Sequence, residues 1–222
     1  MLRGILDIQI KLPGVKLGIV EAQGVLVEAV HADLTKLLDE VCARKQKEFT
    51  VETLAEAESV RAIRALFRGW GMDPSKYRPS SEALLRRVVQ GKGLHRVSNV
   101  VDTGNLVSIE TGWPLGGYDR SRIQEPVTLR LGSAGESYEG IGKKTWSLEG
   151  RPVLADPAGP FGSPISDSTR TMITDSAKDV MIVVYVPEKS PDELADRALK
   201  RLCERLKKFA GASDAQSVIC RS

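Results

Sequence analysis

The segment Asn99–Asp119, NVVDTGNLVSIETGWPLGGYD, most constrains what this chain can fold into. Polar Asn99, Asp102, Asn105 and Ser108 recur every third residue among Val100, Val101, Leu106, Val107 and Ile109. On a helix that row climbs one side over about half a turn and leaves an apolar flank that must be buried. Gly112, Pro114, Gly116 and Gly117 follow; they break the helix and let backbone approach a ligand closely. Two readings fit: a pocket wall emptying into a glycine turn, or a helix capped by a tight turn with its polar side in water. Periodicity alone favours the second.

At 222 residues, 41% hydrophobic and 27% charged, the chain suits one compact α+β domain over 1–222. The longest apolar run, Val180–Val186, falls far short of the ~20 residues of a membrane span. The opening MLRGILDIQI lacks the core and cleavage site of a signal peptide. The expected location is the cytoplasm, with no membrane partner. Cys42, Cys203 and Cys220 are scattered and form no C-x-x-C, which argues against a disulfide framework and a structural zinc site. His31 and His95 have no partner at i+3 or i+4, so a metal centre built on imidazole is not expected.

Alternation predicts a strand over Ile5–Ile10, and Lys16–Ala29 reads as two strands broken at Gly24. Helices are predicted over Ala32–Lys45, Val51–Trp70 and Ser81–Gln90, the last capped by Ser80. Strands follow at Val127–Leu131, Tyr138–Ile141, Val153–Ala155 and Val180–Val186. In the final helix Ser190, Pro191 and Glu193 form a capping box, and Gly211 is the stop. GIGKKT, Gly140–Thr145, misses the phosphate-loop pattern at Ser137 and Lys144 and reads as a turn.

Charge is uneven. Between Arg61 and Arg96, nine cations oppose only Asp73 and Glu82, so this stretch carries +7 in a chain of +3. Clustered cations are what phosphate binding needs. Arg61, Arg64, Arg68, Lys76, Arg78, Arg86 and Arg87 are the RNA-binding candidates, and Tyr77 is a better base-stacking candidate than Trp70. The alternative is an ordinary solvated basic face.

VVD, Asn105 three residues later, G-x-P and the Tyr118-Asp119 pair resemble the tRNA-editing module of bacterial phenylalanyl-tRNA synthetase, the combined third and fourth domains of its β subunit. The order continues through Arg122-Ile123, VTLRLGSAGESYEGIG, VLADPAG and DVMIVVYVP. The likeness is strongest over residues 84–187, with the N-terminal strands and C-terminal helix expected to pack on it. It implies an α+β domain of that module's type, a free-standing copy, and a tRNA 3′ aminoacyl end as partner rather than DNA.

The resemblance implies hydrolysis of a wrongly attached amino acid by a positioned water, with no metal or organic cofactor. The family's pocket asparagine falls on Asn105, its preceding threonine on Gly104, its turn histidine on Gly116, and its acidic reader of a phenol hydroxyl on Val183. A substrate smaller or more apolar than tyrosine is then expected. Replacement chemistry is sought in SPISDSTRT: Ser168, Thr169 and Arg170 join Asn105 as catalytic candidates. Gly116, Gly117, Tyr118, Gly162, Ser163 and Asp167 are the substrate-binding candidates. Two other functions remain open: a non-catalytic RNA-binding module, or a small-molecule hydrolase or ligand-binding protein reusing the pocket.

Overall fold

The computed structural model describes residues 5, 6, 8–142 and 144–222. Strands β1 (Ile8–Ile10) and β2 (Val15–Gln23) precede four helices, α1 (Ala32–Glu48), α2 (Glu58–Gly69), α3 (Ser80–Val89) and α4 (Asn99–Thr111). Then come β3 (Leu115–Asp119), β4 (Val127–Leu131), β5 (Ser137–Gly140), β6 (Lys144–Ser147), β7 (Pro152–Asp156), β8 (Gly159–Gly162) and β9 (Val180–Pro187). Helix α5 (Asp192–Ala210) and β10 (Asp214–Cys220) close the chain. The architecture is mixed α+β. Among the described residues no helix is long and apolar enough to cross a membrane.

One sheet runs β10-β2-β9-β3, antiparallel throughout, and a second runs β1-β4-β7-β8. Strand β1 lies parallel to β4, and β5 with β6 forms a separate hairpin. Strand β9, VMIVVYVP, is buried at every residue. An unbroken apolar run is what a strand covered on both faces requires. A shared core joins the two sheets through Leu17, Ile19 and Val183 on one and Val127, Leu129 and Phe161 on the other. Helix α5 packs on β2, β10 and α4, and α1 with α3 packs on α4 around Leu38, Leu85 and Leu106.

Several local expectations are corrected. Residues past Gly24 form no second strand; Val25 N donates to Lys178 O and Leu26 N to Ala210 O, so the segment runs across the ends of neighbouring elements. The helix expected over Val51–Trp70 is broken at Ala57, which is extended (ψ 131°) between a 3₁₀ turn at Thr53–Glu56 and α2. Ser80 does not cap α3: it is the first residue of the helix, and its Oγ is buried without a partner among the described residues. Nor does Ser190 cap α5. Buried Lys16 instead reaches Ser190 O and pairs with Asp192, holding the helix start from outside.

The largest correction concerns Gly116 and Gly117. They are strand, not turn, paired opposite Val183 and Ile182 of β9. Only Gly112 turns, at φ 74° after α4. Strands β6, β8 and β10 were not expected from the sequence either.

Candidate functional site

Helix α4 carries the site. Ser98 Oγ accepts from Val101 N to start it, satisfying a first-turn N–H. The polar row does not face water. Asn99 is buried; its Oδ1 accepts from Glu28 N and Val100 N, and its Nδ2 donates to Leu26 O and Phe209 O. It thereby fastens the crossing segment and the end of α5 to α4. Ser108 Oγ donates to Trp113 O at 2.8 Å. Asp102 is buried and accepts from Val97 N. Burial pushes its carboxyl upward, against the Val97 N–H, the Arg96 charge and the Asn105 side chain. Three of the four polar residues therefore hold the fold together, and Asn105 alone of the row lines a cavity.

That cavity has a volume of about 250 Å³. Helix α4 lines it with Val100, Val101, Gly104 and Asn105, and β3 with Leu115, Gly116 and Gly117. Ile182 comes from β9, and Asp167, Met172 and Ile173 from the segment after β8. Ile141, at the β5–β6 turn, and Val97 complete it; both are exposed on their outer sides. The walls are apolar except at Asn105 and Asp167.

Asp167 is held in place by its own loop and by β3. Its Oδ1 accepts from Tyr118 Oη at 2.8 Å and from Ser163 N at 3.0 Å. Ser163 Oγ donates to Ser166 O and accepts from Ser166 N, a local serine turn that shapes the loop. Burial pushes the Asp167 carboxyl up to about 7, opposed by the Ser163 N–H and the Tyr118 hydroxyl. The apolar surroundings outweigh two hydrogen bonds that favour the charged form. Tyr118 is fully buried, its ring edge-on to Phe161 at 5.0 Å between centres. The Tyr138 hydroxyl donates to Ser166 O in the same loop, and the buried Tyr185 hydroxyl has no partner among the described residues.

The structure brings Asn105, Gly116, Gly117 and Asp167 together at the cavity and takes the other predicted residues elsewhere. Arg170 grips Asp156 with both terminal guanidinium nitrogens, at 2.9 and 3.3 Å, and donates to Gly159 O. The Asp156 side chain is fully enclosed, so this pairing neutralises a buried charge. Ser168 Oγ accepts from Arg170 N, and Thr169 Oγ1 donates to Glu139 O. Thr169 and Arg170 thus bond the loop to β5 and β7, and Ser168 shapes the loop itself. Tyr118 contacts Asp167 rather than the cavity. Gly162 exists for Tyr118: a Cβ there would overlap the Tyr118 hydroxyl, as it would at Gly116. An imidazole at 116 therefore has no room. Val183, opposite Gly116, is buried off the cavity, and its neighbour Ile182 lines it. Continuous burial of β9 hides which of its two faces meets the cavity, which is why the sequence missed Ile182.

The basic segment is only partly free. Arg61, Arg68 and Lys76 are exposed. Arg64 makes a bidentate pair with buried Glu82 at 2.8 and 2.7 Å, and Arg78 lies 3.6 Å from the same carboxylate. Arg86 and Arg87 are partly buried. The Tyr77 ring already carries the Arg151 guanidinium at 4.2 Å, and Trp70 is core, donating to Pro13 O. Ser80 N donates to Pro164 O, which ties the start of α3 to the loop bearing Asp167. Among the described residues no cluster of three His, Cys, Asp or Glu side chains is placed to hold a metal.

Comparison with known proteins bears on this arrangement. The phenylalanine–tRNA ligase beta subunit of Streptomyces avermitilis is 29% identical over 161 residues, 67% of this chain and 19% of that subunit. That of Chromobacterium violaceum is 30% identical over 110 residues, 48% of this chain and 14% of that subunit. The chain thus spans less than a fifth of these two relatives. An N-terminal fragment of the phenylalanyl-tRNA synthetase beta-subunit from Pyrococcus horikoshii aligns with 99% of this chain and 55% of its own, at a TM-score of 0.49 and 14% identity. The family model described as the B3/4 domain matches residues 62–211, a stretch that includes α4, β3, the Asp167 loop and Ile182. Every residue lining the cavity falls inside that match, which covers more than half of the sequence: the chain belongs to the B3/4 domain family.

Proposed function

We propose that this chain binds the 3′ end of a mischarged aminoacyl-tRNA, takes the aminoacyl group into the α4–β3 cavity and hydrolyses its ester, acting in trans. One observation carries the reading: the α4–β3 stretch, Ile141, the Asp167–Ile173 segment and Ile182 converge on a partly open, mainly apolar cavity with one amide and one carboxyl in its wall. At about 250 Å³ the space lies below the ~300–1,000 Å³ of sites for larger organic ligands. It suits one amino-acid side chain and its carbonyl, with the nucleotide outside. Val100, Val101, Met172, Ile173 and Ile182 favour an apolar side chain. The exposed cations Arg61, Arg68 and Lys76 supply the attraction for RNA phosphates. Membership of the B3/4 family and similarity to synthetase beta subunits support the same reading.

The test is deacylation of a panel of tRNAs carrying apolar, polar and charged amino acids. Turnover concentrated on apolar aminoacyl groups is expected. Tight tRNA binding without turnover of any of them would favour a non-catalytic module, a reading to which the missing imidazole at Gly116 and the committed Arg170 lend weight. Neither binding nor turnover at low salt would remove both.

A further inference from the structure

We propose that Asp167 is the general base of this reaction and Tyr118 its positioning residue. The proposal rests on the hydrolase reading above. Among the described residues lining the cavity, Asp167 is the one ionisable side chain. Its Oδ1 is taken by Tyr118 Oη and Ser163 N, while no hydrogen bond to Oδ2 is made by the described residues. The carboxylate thus keeps one oxygen for the cavity, and two donors from different elements fix its orientation.

The groups around it are a phenol from each of three strands: Tyr118 of β3, Tyr138 of β5 and Tyr185 of β9. Each is pushed upward by burial and by the Asp167 charge, so all remain neutral at physiological pH. Among the described residues no cation contributes to the environment of Asp167, and burial brings it to about 7. A base works best when its affinity for protons matches the working pH. Here the match comes from apolar walls rather than a second acid.

In the step, a water oxygen forms a bond to the ester carbonyl carbon while Asp167 Oδ2 takes a water proton. The tetrahedral adduct collapses by breaking the bond from the carbonyl carbon to the ribose oxygen. That oxygen leaves with the proton returned by the Asp167 carboxyl, giving a free amino acid and a ribose hydroxyl. No further reactant is needed.

The test follows deacylation of a tRNA carrying an apolar amino acid from pH 5.5 to 9, for the native protein, Asp167→Asn and Tyr118→Phe. The native rate should rise through an inflection near 7, and Asp167→Asn should lose about 100-fold or more. Tyr118→Phe removes a donor that favours and orients the carboxylate, so its inflection should move to higher pH and its alkaline rate should fall, by less than in Asp167→Asn. A merely structural tyrosine would lower the rate equally at every pH, and that result would overturn its positioning role. N-acetylated aminoacyl-tRNA should remain a substrate whose turnover depends on Asp167. Loss of that turnover, with Asp167→Asn raising KM but sparing kcat, would show that Asp167 holds the α-ammonium and overturn the proposal. So would Asp167→Asn turnover within about threefold of native. Should Asp167→Asn fail to fold, the inflection of Tyr118→Phe decides alone. A native protein inactive on the whole panel removes the hydrolase reading and the base with it; activity that ignores Asp167 removes the base only.

Discussion

The Tyr118 hydroxyl donates to Asp167 Oδ1 at 2.8 Å, and that bond accounts for two glycines that read as ligand-binding in the sequence. Gly116 and Gly162 both face the phenol, and a Cβ at either would overlap its oxygen. Gly116→Ala or Gly162→Ala should displace the ring, at an overpacking cost of about 1–3 kcal/mol. Each should lower Tm by several degrees, roughly 2–4 °C per kcal/mol for a chain of this size. Thermal unfolding checks this; unchanged melting in both variants would show that the phenol sits elsewhere.

Asp167 should also leave a mark on stability. Its carboxyl is held at about 7 in the folded chain, above the ordinary 3.8, so the folded state keeps a proton that the unfolded state releases. Between roughly pH 4 and 7 the folded state binds more protons, and this group's contribution must fall as pH rises, levelling off above 7. Asp167→Asn lacks that titration. Its stability relative to the native chain should increase from pH 4 to 7 and then stay flat, as read by denaturant unfolding across that range. A difference independent of pH would place the carboxyl in an ordinary solvated environment.

The basic segment divides into working and structural cations. Arg64→Ala would leave the Glu82 carboxylate buried with only Arg78 nearby, and should cost about 3 kcal/mol or more. Arg61→Ala with Arg68→Ala should leave Tm within about 1 °C, since exposed sites contribute little to folding. The same pair should weaken tRNA binding and flatten its dependence on salt. Filter binding at several salt concentrations, beside thermal melts, separates the two classes.

Arg170→Ala should behave as a stability variant. It leaves fully enclosed Asp156 with its backbone donors Gln124 N and Ala158 N but no cation among the described residues. A loss of about 3 kcal/mol is expected. Residual deacylation per folded molecule should stay near native. A folded Arg170→Ala protein with no turnover would return this arginine to the site.

Much of the helical framework was legible because its signals are periodic and local. The Leu34-Leu38-Val41 stripe of α1, the Gly112 and Gly211 stops and the apolar run of β9 all follow from spacing and backbone freedom. Strand β3 was hidden because Leu-Gly-Gly carries no strand pattern; its pairing comes from β9, more than sixty residues away. The same distance hid the reason for Gly116 and Gly162, since both make room for a side chain that reaches them only in the fold. Ser80 and Ser190 look like caps, yet tertiary partners took over: Ser80 N turned to Pro164, and Lys16 held the start of α5. In SPISDSTRT the composition announced a polar loop, but not that Arg170 would be drawn to buried Asp156 while Asp167 lined the cavity.

The most direct measurement is a crystal structure with a non-hydrolysable 3′-amide analogue of an apolar aminoacyl-adenosine. The aminoacyl side chain should lie between α4 and β3 against Ile182, with its carbonyl between Asn105 and Asp167 and the adenosine outside. An analogue bound elsewhere on the chain, with this cavity unchanged, would contradict the account.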